Sequence, residues 1–339
     1  MTLPAGAGAD MPETILVTGG SGYIGSHVVR ALHPRHRVIV LDRRPPPGAI
    51  REICRYERGD VRDRALLDRL FAAEQVAGVV HLAGLKSVAE SIAAPERYFD
   101  INVHGTIVLL SAMVNAGVRR FIFSSSAAVY GAPISLPVTE AAPTQPENPY
   151  GESKLLVERT LPWFERAHGI RFVCLRYFNA AGAALDGEIG EDWSQATNLV
   201  PLVMRAALGA SAEIEVYGTD YPTPDGSAVR DYIHVVDLAD AHVLALRHML
   251  EGRSSLVANL GTGAGASVLE VIEAVGRIGA TEVPARMGPR RPGDPPAVWA
   301  DNARAIEMLG WRPRYGLDEI VATAWRWHTR QIAHTPGGA

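Results

Sequence analysis

Tyr150 and Lys154 stand four residues apart in Tyr-Gly-Glu-Ser-Lys. On a helix this spacing puts a phenol and an ammonium on one face, a turn apart. A phenol is a poor base at neutral pH, but a neighbouring cation favours its anion and makes it a usable proton acceptor. A solvated helix surface carries such pairs too, so the chemistry needs further groups. The apolar run Phe121-Ile-Phe123 supplies one, because it reads as a buried strand that ends in Ser124, Ser125 and Ser126. Ser126 can share a proton with Tyr150 and with a substrate hydroxyl. Ser124 and Ser125 are read as satisfying backbone groups and packing beside whatever the strand end meets.

The elements that position these groups are announced by Thr18-Gly-Gly-Ser-Gly-Tyr-Ile-Gly25. An apolar run, Ile15-Leu-Val17, precedes it and a helical segment follows. Asp42 closes the next apolar run, Val38-Ile-Val-Leu41. Strand, glycine turn, helix, strand and carboxylate in this order suit a dinucleotide. Gly19, Gly22 and Gly25 let backbone approach a pyrophosphate, the helix N-terminus faces its charge, and Asp42 takes ribose hydroxyls. The glycines are spaced G-x-x-G-x-x-G rather than G-x-G-x-x-G. An oxidised nicotinamide beside Tyr150 would favour the phenolate further, and Lys154 can hold the nicotinamide ribose.

Strands are expected at 14–18, 37–41, 53–57, 78–82, 119–124 and 170–175, with helices at 23–33, 63–73, 96–116 and 150–168. This alternation predicts an α/β fold, a Rossmann-type parallel sheet with helices on both faces. Arg43–Ala49, with three consecutive prolines, and the proline-rich 131–149 are expected as loops. After 178 the pattern loosens into a smaller α/β substrate subdomain with helices near 198–208, 231–250, 267–278 and 301–309. The expected organisation is a flexible tail at 1–12, a dinucleotide-binding domain at 13–178 to which 231–262 returns, a substrate subdomain mainly within 179–330, and a tail at 331–339.

The net charge of -4, with no basic block, gives no support to nucleic-acid or anionic-membrane binding. Residues 1–12 lack the basic start and apolar core of a signal peptide, and no run of 18 apolar residues occurs, so a cytoplasmic protein is expected. Cys54 and Cys174 fit no metal spacing; they are read as reduced, with a disulfide left open. No metal is expected. His81 and His234 are read as structural.

Ten motifs in order carry a family resemblance: VTGGSGYIGSHVV (17–29), GDVRD (59–63), HLAGLKSVAES (81–91), NVHGT (102–106), FIFSSSAAVYG (121–131), NPYGESKLLVE (148–158), LRYFNAAGA (175–183), VRDYIHVVDLADAHVLAL (229–246), NLGTGAGASVLEV (259–271) and RPGDPPAVWAD (291–301). Over about 14–328 the chain resembles the extended short-chain dehydrogenase/reductases, and within them the UDP-glucose 4-epimerases. The resemblance implies Tyr150 as base, Lys154 as its support and Ser126 as proton shuttle or hydrogen-bond partner. It implies NAD, tightly bound and regenerated in each turnover, against Gly19, Gly22, Tyr23, Ile24, Gly25, Asp42, Arg43, Asp60, Val61, Leu82, Ala83, Gly84, Lys86, Asn102, Ser124, Tyr177 and Phe178. It implies a UDP-hexose held by Lys86, Asn179, Asn198, Leu199, Val216, Tyr217, Arg230, Arg291 and Asp294, with Val298 beside the sugar.

Three departures mark this chain. The loop after Asp42 is short and Arg43 replaces the usual Asn; Asp42 would still repel a 2′-phosphate. The loop between Ser126 and Tyr150 is slightly shorter. Val298 stands where several bacterial members have tyrosine, leaving room for an N-acetyl group at C2. The implied reaction is reversible C4 epimerisation of UDP-glucose and UDP-galactose, with UDP-GlcNAc and UDP-GalNAc as further substrates. Other epimerases acting on UDP-pentoses or UDP-uronates, dehydratases and decarboxylases are alternatives. Related dehydratases carry carboxyls at the strand end, where this chain has Ser-Ser-Ser-Ala-Ala. A non-catalytic NAD-binding regulator is the alternative of another class, although such proteins usually lose the tyrosine or lysine. A homodimer is expected through helices 96–116 and 150–168, using Ile107, Leu110, Met113, Leu155, Leu156 and Phe164.

Overall fold

The computed structural model describes residues 12–193, 196–291 and 294–333. Its centre is a seven-stranded sheet: β1 (Thr14–Thr18), β2 (Arg37–Asp42), β3 (Arg55–Arg58), β4 (Val76–His81), β5 (Arg120–Ser126), β6 (Arg171–Tyr177) and β7 (Leu256–Leu260). The spatial order is β7-β6-β5-β4-β1-β2-β3 and every pairing is parallel. The strands that carry Asp42, His81, Ser126 and Tyr177 end at these residues, so their carboxyl ends line one edge. The order in which successive strands are added reverses between β1 and β4, where open α/β sheets place their ligands.

The alternation of side chains along the strands builds two separate cores. Ile15, Val17, Val38, Val40, Val80, Ile122, Val173 and Leu175 face helices α1 (Tyr23–Leu32) and α6 (Val235–Leu250). Leu16, Ile39, Leu41, Val79, Phe121, Phe123 and Cys174 face α2 (Arg64–Ala73), α3 (Gly105–Ala116) and α4 (Pro149–His168). A third core joins α5 (Leu199–Ala207), α7 (Val268–Gly279) and α8 (Leu317–Ala333) around Val203, Met204, Val271 and Val321. This third cluster is the heart of the smaller subdomain.

Several elements differ from expectation. The expected helix 96–116 is a turn at Pro95–Tyr98, a π-helical turn at Phe99–His104, and then α3. A short helix, Gly48–Arg51, follows Pro47, beginning inside the expected loop and running past its end at Ala49. Strand β7 joins the edge of the main sheet and α6 packs across α1, so 235–260 packs with the central sheet. Helix α8 reaches Ala333, past the expected boundary at 330. The expected tails otherwise lie outside the described residues. By length and composition alone Pro95–Ala116 could cross a membrane, but Leu109, Leu110 and Met113 are fully buried against the sheet.

Candidate active site

The glycine turn connects β1 to α1 through contacts that only hydrogen side chains permit. Gly19 has φ +74°, and a Cβ there would lie 2.6 Å from the amide nitrogen of Ala83. A Cβ at Gly25 would lie 2.1 Å from the carbonyl oxygen of Gly19. The turn therefore closes onto both its own helix and the Leu82–Ala83 segment. Gly22 is the N-cap of α1 and supplies no side-chain cap. The helix start is left to a ligand anion, which helix amides and dipole favour. Ser21 Oγ is buried without a protein partner, a second group that fits a bound phosphate. The Asp42 carboxylate accepts from the amides of Ser21 (3.1 Å) and Arg44 (3.0 Å), which fixes it at the end of β2 beside the turn. These features fit the pyrophosphate and ribose of NAD.

Not every residue expected to touch the cofactor is free to do so. Asp60 is bound by Arg62 through both carboxylate oxygens, which holds its carboxyl below the usual range. Val61 is buried at the start of the wall behind it, and Arg43 is exposed. Asn102 points inward from the π turn and is spent on protein. It accepts from Leu85 N (2.8 Å) and donates to Leu85 O (3.1 Å) and Ser153 Oγ (3.0 Å). Its work is to fix the Leu82–Lys86 segment against α4. Gly84 lies against it, since a Cβ there would be 3.0 Å from Asn102 Oδ1. Tyr23 donates to Gly182 O at 2.6 Å and ties α1 to the smaller subdomain, and Ile24 packs onto the first core.

The reacting groups converge at the ends of β5 and α4. Asn148 caps α4 by accepting from Gly151 N at 2.9 Å, and Pro149 occupies the first turn. This fixes the helix start so that Tyr150 and Lys154 face the sheet. Ser126 Oγ accepts from Ala128 N at 3.1 Å and donates toward the Tyr150 phenol. Burial raises the phenol above its ordinary pKa, and the bond from Ser126 opposes that rise. Lys154 is buried, donates to Ser124 O at 2.9 Å, and has its Nζ 5.9 Å from the Tyr150 ring centre. Burial pushes its pKa down to about 8. Ser124 does more than pack: its hydroxyl lies 3.1 Å from His242 Nε2. Phe178 packs beside Val129 and Leu155.

On the substrate side, Asn179 begins the strand Asn179–Ala181, and Asn198 caps α5 ahead of Leu199. Arg291 stacks over Tyr217, guanidinium to ring 4.4 Å, while Arg230 lies 3.3 Å from Asp294. Val216 is fully buried, so its backbone is what it can offer a ligand. Val298 pairs with Arg230 in register and, like Phe178 and Ala127, packs against the Val129, Tyr130, Val138 and Leu155 cluster.

Two carboxylates escaped the sequence reading. Glu191 is buried, accepts from Lys86 Nζ at 2.7 Å and from Asn198 Nδ2 at 3.1 Å, and so bridges the two halves. Glu158 is buried beneath Lys154 and is clasped by Arg176. Only its place one turn after Lys154 could have signalled it. His81 is buried between Thr18 (2.6 Å) and Thr106 (2.9 Å), and His234 bonds Thr323, both as structural residues. No metal-binding cluster occurs among the described residues.

The family model described as NAD dependent epimerase/dehydratase family matches residues 15–261. A UDP-glucose 4-epimerase of Lacticaseibacillus casei is 46% identical over 93% of this chain and 96% of its own length. Among solved structures, a UDP-glucose-4-epimerase from Stenotrophomonas maltophila with bound NAD and formylated UDP-arabinopyranose superposes with a TM-score of 0.92, at 40% identity, over 95% of this chain and 100% of that one. The Bifidobacterium longum UDP-glucose 4-epimerase in complex with NAD+ and UDP gives 0.88 at 44% identity over 94% and 99%. Near-complete coverage joins the glycine cradle and the Ser126–Tyr150–Lys154 group to one lineage: the chain belongs to the NAD dependent epimerase/dehydratase family, among its UDP-glucose 4-epimerases.

Proposed function

We propose that this protein interconverts UDP-glucose and UDP-galactose by reversible inversion at C4, through a transient 4-keto sugar and with NAD as resident cofactor. The observation that carries the reading is the grouping of Ser126 and Tyr150, with Lys154 one turn on, beside a glycine turn built for a pyrophosphate. When bound, NAD supplies the acceptor and donor for the hydrogen on C4. Tyr150 takes the proton of the 4-hydroxyl, and Ser126 shares that hydrogen bond. Lys154 favours the phenolate electrostatically. Asn179, Asn198, Leu199, Val216, Tyr217, Arg230, Arg291 and Asp294 hold the UDP handle, the arginines offering planar donors to the diphosphate. Binding energy is thus invested in the nucleotide while the sugar stays free to turn. After the ketone presents its other face, Tyr150 returns the proton to the inverted hydroxyl. Purified protein, without added NAD, should convert UDP-glucose to UDP-galactose and back, resolved by chromatography. A dehydrated, decarboxylated or oxidised product with no C4 epimer overturns the reading.

The volume beside C2 supports a wider sugar range. Val298 lacks the ring and hydroxyl of a tyrosine, so UDP-GlcNAc and UDP-GalNAc are proposed as further substrates.

A homodimer is proposed on a revised surface. Leu110, Met113 and Leu155 are buried in the protomer and cannot serve it. Val88, Ile92, Phe99, Ile107 and Trp163 instead expose apolar surface on α4 and the helical segments packed with it, and Trp163 is 66% exposed. Light scattering of wild type and Ile92→Glu tests it: a dimer should become a monomer, and a wild-type monomer mass at all concentrations ends the proposal. A cytoplasmic location is proposed with support from Cys54 and Cys174, both free thiols.

A further inference from the structure

Beneath the reacting groups lies a buried ion pair that the epimerisation scheme above does not use. Glu158 follows Lys154 by one turn of α4. Its carboxylate accepts from Ser125 Oγ (2.5 Å) and from Arg176 Nε (2.9 and 3.1 Å) and Nη2 (2.5 Å). Arg176 Nη1 donates to Tyr130 OH (2.8 Å), and Tyr130 donates to Asn259 Oδ1 (2.7 Å). All six side chains from Lys154 to Asn259 are buried.

The sequence neighbours of this network are the reacting groups. Ser125 precedes Ser126 on β5, and Arg176 precedes Tyr177 on β6. The strands pair in register, Ser125 opposite Arg176 and Ser126 opposite Tyr177. One carboxylate therefore joins the three elements that carry Tyr150 with Lys154, Ser126 and Tyr177. We propose that Glu158 is a positioning residue: a buried anion, clamped by Arg176 and Ser125, that keeps the proton on Lys154 and locks α4, β5 and β6 in register beneath the substrate. The inference rests on the reading of Tyr150 and Lys154 as reacting groups.

The surroundings leave Glu158 as the one anion for this task. Lys154 faces the Phe123 ring at 5.0 Å and the Ser124 carbonyl on β5. On β4 it meets His81, which burial holds neutral at about 3. On β6 lie Cys174 and Tyr177, both pushed up by burial and so uncharged, and Arg176, already paired. On α4 lie Tyr150 and Glu158. Burial alone strips Lys154 of its proton as pH rises, and the Glu158 charge opposes this.

The composition makes a direct test possible. Of 33 lysines and arginines only Lys86 and Lys154 are lysines. Protein made with 13C at the lysine Cε gives two resonances, assigned through Lys86→Arg, and their shifts follow each amine through its titration. In Glu158→Gln the Lys154 midpoint should fall by roughly one pH unit or more, while the Lys86 midpoint stays in place. Glu158→Asp should restore it. Because Glu158→Gln leaves Arg176 buried and unpaired, Glu158→Gln/Arg176→Met is measured alongside and should show a smaller fall in the same direction, since the Arg176 charge leaves with the carboxylate. In the epimerase assay the alkaline limb of kcat should move down by a matching amount. An unmoved Lys154 midpoint in both variants overturns the inference, whatever the activity. Absence of wild-type epimerisation would fall instead on the functional reading, since the titration needs no substrate.

Discussion

Tyr150 stands between opposing influences. Its burial raises the phenol's pKa, while the Ser126 hydroxyl opposes that rise, and the Lys154 ammonium lies 5.9 Å from the ring centre. Tyr150→Phe keeps the ring and removes the proton acceptor. Turnover should fall by a factor on the order of 10²–10⁴, while NAD copurifies as before, because the loss falls on the transition state. Near-normal turnover in that variant would reject the assigned base. Val298 belongs at the same scale. Val298→Tyr should suppress turnover of UDP-GlcNAc far more than that of UDP-galactose; equal losses would mean that position 298 does not gate C2. Tyr150, Lys154 and Ser126 were legible because their roles need particular residue types at helical and strand-end spacings. Glu158, Arg176, Glu191 and His242 were not, because their significance lies in partners 18 to 118 positions away that only the fold brings near.

The elements act mainly by fixing approach distances. The turn between β1 and α1 tolerates no methyl at Gly25, where Gly19 O is in the way. Gly25→Ala should destabilise the protein by about 1–3 kcal/mol through overpacking and release NAD, read as the cofactor absorbance lost on gel filtration. Full cofactor retention in a stable Gly25→Ala protein would show that the close approach is dispensable. The βαβ pitch was readable because glycine punctuation and apolar runs are local signals. The π turn was not, because nothing in Phe-Asp-Ile-Asn-Val-His differs from an ordinary helical run; it exists to carry Asn102 inward to Leu85 and Ser153. Strand β7 was missed for a similar reason: Leu256-Val-Ala-Asn-Leu260 is short, and its strand character comes from pairing with β6.

The whole molecule carries a set of buried histidines. His27, His234, His242 and His328 are lowered to about 4 and His81 to about 3, in each case chiefly by burial. The unfolded chain would protonate them below an ordinary value near 6.5. Their depressed values therefore add stability above that pH, and it is lost as pH falls through the window down to about 4. Each proton taken up on unfolding contributes a slope of about 1.4 kcal/mol per pH unit. Thermal midpoints should drop steeply between pH 6 and 4.5; a flat profile there would mean that the rings are not held neutral. A second molecular property follows from the basic residues. With every lysine at the cleft, the remaining surface offers guanidinium groups and no side-chain amines. Apart from the chain's α-amine, acylating reagents and amine-directed linkers, which scatter over most proteins, find only these two side chains here. Lys86, 54% exposed, should react first, and Lys154 only when the fold opens. Attaching the protein to a support through its side-chain amines would tether it by its own cofactor cleft.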